Sequence, residues 1–288
     1  MTTAFVLTGG GSLGAVQVGM LGALAERGVE PDLVLGTSIG AINAAWVATH
    51  PGPAGVEELA RVWCRVRREH IFPGRLLVGL RGIAGRADHL VDPHGLRRLL
   101  DESFGSTRVE GSATPLAVVA VALDNGAETL ITRGPIVEAV MASAALPGVF
   151  PPVWIDGHPH VDGGVANNAP ISHALELGAT AVYVLATGFA CAAGATPRSA
   201  LGVAFHSLTL LIQRRLREDV ERHAGTLDLR VMPPLCPLAV SPLDFTRTSE
   251  LIERAREQTA AWLDRPGTTA EVTARLAPHE HRPGAARD

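Results

Sequence analysis

Twice in its first fifty residues the chain runs from a short apolar stretch, through a glycine-rich corner, into an apolar helical stretch. The first passage is Ala4–Leu7, Gly9-Gly10-Gly11, then Ala15–Arg27; the second is Leu33–Leu35, Gly36-Thr37-Ser38-Ile39-Gly40, then Ala41–Ala48. A strand that feeds a helix and then another strand can pair in parallel only through a crossover, and such crossovers are right-handed. Further short apolar runs at Leu116–Ala122, Thr129–Thr132, Ala181–Ala186 and Leu227–Met232 read as strands. Helical periodicity is expected over Val56–Glu69, Pro93–Phe104, Ile136–Ala145, Ile171–Leu177, Ala200–His223 and Thr248–Leu263. This alternation predicts an α/β fold of three layers, a mainly parallel sheet with helices on both faces.

The second corner has the form G-x-S-x-G. At a strand-to-helix junction this is a nucleophile elbow: the glycines Gly36 and Gly40 allow the sharp turn, and Ser38 is pushed up at a helix N-terminus. The first corner also contains the pattern, as Gly10-Gly11-Ser12-Leu13-Gly14, while Gly9, Gly11 and Gly14 spell G-x-G-x-x-G. Three readings compete there: a dinucleotide fingerprint, a second nucleophile at Ser12, or backbone donors serving Ser38. A dinucleotide site needs an acid at the end of the second strand, but the acid here, Asp32, precedes that strand. Three successive glycines suit a donor loop, because bare N–H groups can converge on one oxygen.

Far downstream lies Asp162-Gly163-Gly164, within Val161–Pro170. Glycine-rich loop, G-x-S-x-G and D-G-G together resemble the patatin-like phospholipases, bacterial acyl hydrolases with a Ser–Asp dyad. Ala142–Pro152 and Ala169-Pro170-Ile171 fit the same family, and the resemblance runs from about Ala4 to Gly188. It implies that Ser38 is the nucleophile and Asp162 its base, with no cofactor and no metal. It also implies an oxyanion hole built from the loop Gly9, Gly10, Gly11, Ser12 and Gly14. Leu13 departs from the pattern, since many members carry a basic residue there. The loop itself therefore brings no cation to a phosphate head group.

The implied activity is cleavage of carboxylic esters in a lipid or other acyl-ester substrate. One alternative is a Ser–His–Asp triad, for which His158, His160, His173 and His206 are available. Others are acyl transfer to an acceptor other than water, and a non-catalytic lipid-binding or regulatory protein of the same fold. With an aspartate as base, the rate should rise through a carboxylate pKa lifted by burial, without an imidazole limb near ~6.5.

Composition narrows the partners. The net charge is −4, which argues against nucleic acid, and all 25 basic residues are arginine. Clusters at Arg65, Arg67 and Arg68 and at Arg214, Arg215 and Arg217 read as solvated helix faces, with peripheral membrane contact as the second reading. Cys64, Cys191 and Cys236 show no metal spacing, and Cys236 is expected to be buried between Leu235 and Pro237. No charged leader precedes the first strand and no apolar run approaches ~20 residues, so a cytoplasmic, non-spanning protein is expected. Residues 1–265 read as one domain, the tail 266–288 as disordered, and the leucine- and glycine-rich stretch 70–92 as a mobile cover over an apolar site or a plain surface loop. Oligomeric state is not encoded in any of these features.

Overall fold

The computed structural model describes residues 1–72, 88–188, 200–225 and 228–267, together with 271 and 276. The predicted cover thus falls largely outside the described residues, as do most of the predicted tail and Cys191. An eight-stranded mixed sheet forms the centre, in the order β5-β6-β3-β2-β1-β7-β8, with β4 also pairing with β3. The strands are β1 (Thr3–Leu7), β2 (Leu33–Thr37), β3 (Leu116–Ala122), β4 (Glu128–Ile131), β5 (Val153–Ile155), β6 (His158–Asp162), β7 (Ala181–Leu185) and β8 (Asp228–Met232). From β3 to β8 the neighbours are parallel, while β4, β5 and β6 are antiparallel additions at the β3 edge.

The central strands are buried on both faces, and alternate residues divide between two cores. Phe5 and Leu7 of β1, Val34 of β2 and Tyr183 and Leu185 of β7 join one apolar cluster. Ala4 and Val6, Leu33 and Leu35, and Val182 and Val184 join the other. The first cluster is covered by α1 (Gly14–Ala25), α2 (Ile39–Thr49), α3 (Pro53–Arg65), α5 (His94–Phe104), α6 (Ile136–Ser143) and α9 (Thr248–Asp264). The short α4 (Arg68–Ile71) sits at its margin, contributing Ile71. The second cluster is covered by α7 (Ile171–Glu176) and α8 (Ala200–His223).

Helix α1 is apolar nearly all round because it is covered nearly all round. The sheet lies on one side and α9 on the other, so close that a Cβ on Gly19 would sit 2.2 Å from the Ile252 carbonyl oxygen. Three differences from the sequence reading stand out. The hairpin β5–β6 was not anticipated, because His158-Pro159-His160 carries no apolar alternation. The helix expected over Val56–Glu69 breaks at Val66, which turns extended and packs its side chain on the first core. Cys236 is only partly buried, because Leu235 and Leu238 take the core-facing positions.

Candidate active site

Parallel strands deliver their carboxyl ends, and the turns that follow them, to one edge of the sheet. The turn after β1 is the glycine loop, and the turn after β2 is the elbow at Ser38. Across β3 the register sets Thr37 opposite Val119, and Ala120 opposite Asp162. Ser38 and the last residue of β6 therefore arrive at the same level on either side of β3. Ser38 Oγ donates a 2.6 Å hydrogen bond to Asp162 Oδ2. The sequence places these two residues 124 positions apart.

Each residue of the elbow is there for steric reasons. Ser38 has φ 56°, in the left-handed region that an L side chain seldom adopts. A Cβ on Gly40 would fall 2.2 Å from the Leu7 carbonyl oxygen, and one on Gly36 would fall 2.4 Å from the Gly40 carbonyl oxygen. On the opposite wall, a Cβ on Gly163 would fall 2.3 Å from the Val119 carbonyl oxygen, so the D-G-G turn closes against β3 only without a side chain.

Asp162 is 4% exposed. Its Oδ1 accepts the Gly164 N–H at 2.8 Å and its Oδ2 accepts the Ser38 hydroxyl. Burial penalises its charged form and pushes the pKa up to about 6, while the two hydrogen bonds pull the other way.

The glycine loop covers the elbow and is held by both backbone polar groups of Gly9. Gly9 N–H donates to Asn168 Oδ1 at 2.8 Å, and Gly9 C=O accepts from Thr187 Oγ1 at 2.6 Å. Ser12 N–H donates to the Pro242 carbonyl, and Gly14 N–H to Gly11 and Ser12 carbonyls. Of the loop positions expected to line an oxyanion hole, Gly9, Ser12 and Gly14 thus have their N–H groups engaged. Among the described residues no acceptor is found for Gly10 N–H or Gly11 N–H. Both glycines are packed: added Cβ atoms would lie 2.3 Å from Thr187 Oγ1 and 2.4 Å from the Pro242 carbonyl oxygen.

The two serines of the two G-x-S-x-G segments differ in their surroundings. The Ser12 hydroxyl is 1% exposed as a residue and donates to the Ser241 carbonyl at 3.0 Å. Ser38 is the one of the pair that meets a carboxylate. The histidines considered for a triad are dispersed. His158 pairs with Asp124, His160 bonds Thr129 Oγ1, and His173 lies between Glu128 and Glu176. His206 lies on the cavity wall.

Three polar side chains were not assigned from sequence. Ser143, fully buried, accepts Ser38 N–H at 2.8 Å and donates to the Val119 carbonyl at 2.6 Å, tying the strained elbow to β3. Asn168 and Thr187 hold Gly9 as described. The available signals were a serine inside the apolar run Ala142–Leu146 and paired asparagines after D-G-G. Behind the site, Gln17 Nε2 donates to Thr8 and Leu185 carbonyls, Asn43 Nδ2 to Gln17 Oε1, and Trp63 Nε1 to Asn43 Oδ1. This buried network braces both corners from below.

Ser143→Ala would strand the Ser38 N–H in a dry interior, so the elbow should lose its register. The expected result is a roughly 10–100-fold fall in kcat with KM nearly unchanged, measured on a soluble ester. A loss of melting temperature with kcat intact would mean that Ser143 serves packing alone.

Ser38, Asp162 and the loop open onto a cavity of about 530 Å³. Its walls are mostly apolar, among them Ile42, Leu96, Leu146, Phe150, Ile212 and Leu243. An elongated apolar group fits such a space. Among the described residues no group of three or more histidine, cysteine or acidic side chains is gathered to hold a metal ion.

Residues 5–175 match the family model described as patatin-like phospholipase. Patatin-like phospholipase domain-containing protein 7 of Mus musculus is 31% identical over 189 residues, which are 64% of this chain and 13% of that protein. Neuropathy target esterase sws of Drosophila melanogaster is 28% identical over 185 residues, again 64% of this chain and 13% of the relative. The chain therefore corresponds to a small part of the curated relatives it matches. In fold, it resembles VipD from Legionella pneumophila with a TM-score of 0.50 at 16% identity, covering 91% of this chain and 66% of that one.

Proposed function

We propose, for a chain that belongs to the patatin-like phospholipase family, that it hydrolyses carboxylic esters of lipids through an acyl-enzyme on Ser38. The observation that carries this reading is the 2.6 Å hydrogen bond from Ser38 Oγ to a buried carboxylate, at the mouth of an apolar cavity. Ester cleavage needs an activated nucleophile, a proton acceptor and a place for negative charge. As Ser38 Oγ bonds to the ester carbonyl carbon, its proton passes to Asp162. The carbonyl oxygen becomes an oxyanion, held by the N–H groups of Gly10 and Gly11. Collapse breaks the ester C–O bond, and the departing alkoxide takes the proton from Asp162. Water then attacks the acyl-enzyme with Asp162 again as base, releasing a fatty acid and free Ser38.

An aspartate in water is too weak a base for this work, with a pKa near 3.9. At about 6, Asp162 is a stronger base and is still ionised at neutral pH. That balance is what general-base catalysis asks of a carboxylate.

A fluorophosphonate probe tests the assignment of the nucleophile. The wild type should label at Ser38, Ser38→Ala should lose both labelling and turnover, and Ser12→Ala should keep measurable activity. Labelling at Ser12 would overturn the assignment. Release of free fatty acid from phospholipids, lysophospholipids, acylglycerols and short p-nitrophenyl esters would then rank the substrates.

A further inference from the structure

Two amide side chains in the wall of the cavity are each half used. Asn168 and Gln213 both line it, and they are only 2% and 5% exposed. Asn168 Oδ1 accepts the Gly9 N–H, and Gln213 Nε2 donates to the Gly188 carbonyl at 3.1 Å. A backbone N–H can only donate and a carbonyl can only accept, so these two bonds fix which way round each amide stands. What remains is one donor, Asn168 Nδ2, and one acceptor, Gln213 Oε1. Both atoms are buried, and neither has a hydrogen-bond partner among the described residues. Polar groups in a protein interior are rarely left unpaired, so a ligand that both accepts and donates suits this pair.

The reacting groups are close by. The Cβ position of Gly9 lies 2.6 Å from Asn168 Oδ1 and 3.0 Å from Ser38 Cβ. The Cβ position of Gly164 lies 3.1 Å from Asp162 Oδ1, 3.3 Å from Asn168 Oδ1 and 3.6 Å from Ile212 Cδ1. Nucleophile, base, Asn168 and the turn of α8 that carries Gln213 therefore converge on one corner of the cavity. Gly188, which holds the Gln213 amide, directly follows Thr187, which holds Gly9.

We propose that Asn168 and Gln213 position the water that releases the fatty acid from Ser38. This rests on the acyl-enzyme reading above. A water molecule has two O–H groups and two lone pairs, and the site has a use for each. Asn168 Nδ2 donates to one lone pair, and Gln213 Oε1 accepts one O–H. The second O–H faces Asp162, and the second lone pair faces the acyl carbon. As the water oxygen bonds to that carbon, its proton passes to Asp162. The intermediate then breaks its C–O bond to Ser38, whose Oγ takes the proton back, and a carboxylic acid leaves. An alcohol has a single O–H, which Asp162 needs, so an attacking alcohol leaves Gln213 Oε1 unpaired against its alkyl group. Sites built around a hydrogen-bonded O–H reject analogues that lack it for this reason. The pair thus favours hydrolysis over transfer of the acyl group to an alcohol.

The test lets one acyl-enzyme choose between two acceptors. The intact chain cleaves a p-nitrophenyl ester in water containing methanol, and the ratio of free acid to methyl ester is measured. General damage to the site slows formation of the acyl-enzyme but cancels in this ratio. Gln213→Met removes the acceptor at similar side-chain length, so the ratio should fall about tenfold, the worth of one hydrogen bond. Gln213→Glu keeps an acceptor oxygen and should hold the ratio near that of the wild type. A crystal structure of the wild type should place a water within hydrogen-bond distance of both Asn168 Nδ2 and Gln213 Oε1, and none there would overturn the proposal. A water there with an unchanged ratio in Gln213→Met would be a structural water only, and would overturn it too. So would a ratio shifted equally by Met and by Glu. A wild type that releases no p-nitrophenol would sink the hydrolase reading and this one together, whereas release with an unchanged ratio sinks this one alone.

Discussion

Asp162→Asn should give a protein that melts at a higher temperature at neutral pH and has almost no activity. The two effects share one cause. The folded protein holds the Asp162 proton up to about pH 6, whereas an ordinary aspartate releases it near 3.8. Between those values the folded state binds more protons than the unfolded state, so stability falls as pH rises from about 4 to about 6. Above pH 6 the full cost of a buried carboxylate is present, of order 2–3 kcal/mol. Asparagine keeps the acceptor for Gly164 N–H and carries no charge, so the gain should appear above pH 6 and vanish below about pH 4. Loss of the base should lower kcat by about 10²–10⁴-fold. Thermal melts at pH 4 and pH 7.5 beside kcat on a soluble ester measure both; a variant that is destabilised at both pH values would contradict the account.

The same value alters what a pH profile can reveal. A rate that rises through about pH 6 lies beside the ordinary imidazole range near ~6.5. The expectation that a carboxylate base would be recognisable by the position of its limb is therefore too simple. Substitution separates the cases: the limb should survive His206→Gln and disappear in Asp162→Asn.

Gly40→Ala should be the most damaging single methyl in the elbow. The new carbon would lie 2.2 Å from the Leu7 carbonyl oxygen and 2.6 Å from that of Thr8, both backbone atoms at the end of the central strand. Neither can move without shifting the glycine loop. Overpacking of this kind costs about 3 kcal/mol or more, equivalent to a fall in Tm of roughly 6–12 °C, and activity should fall with it. Gly111 has open space around its Cβ position, so Gly111→Ala should stay within about 0.5 kcal/mol of wild type. Parallel melts of the two variants decide the matter; a Gly40→Ala protein as stable as Gly111→Ala would mean that the corner is looser than its distances.

The strands of the parallel half were legible because they are short, apolar and bounded by glycine or proline. The hairpin at the β3 edge was not, since β6 is written His158-Pro159-His160-Val161-Asp162 and owes its pairing to β3 and not to its own pattern. The meeting of Ser38 with Asp162 could be expected because their glycines mark close approaches that leave a trace in the sequence. Ser143, Asn168 and Thr187 left no such trace, for their importance lies in which backbone atom each one meets. That Gly10 and Gly11 alone among these loop positions show no acceptor for their N–H among the described residues was hidden for the same reason: glycine shows where a backbone can come close, and says nothing of whether its N–H is already taken.

The hydrogen bonds that assemble the site also set when it can exist. Ser38 meets Asp162 across 124 residues, Gly9 meets Asn168 across 159, and Thr187 meets Gly9 across 178. No local segment can rehearse these contacts, and chains dominated by distant pairings fold slowly. During synthesis the elbow could form early, with the Ser38 hydroxyl lacking its carboxylate until Asp162 has been added, and the glycine loop lacking its anchor until Thr187 follows. Reactivity toward a serine probe is therefore a clock for the closing of the whole sheet, and in refolding it should appear last, after helical signal has returned.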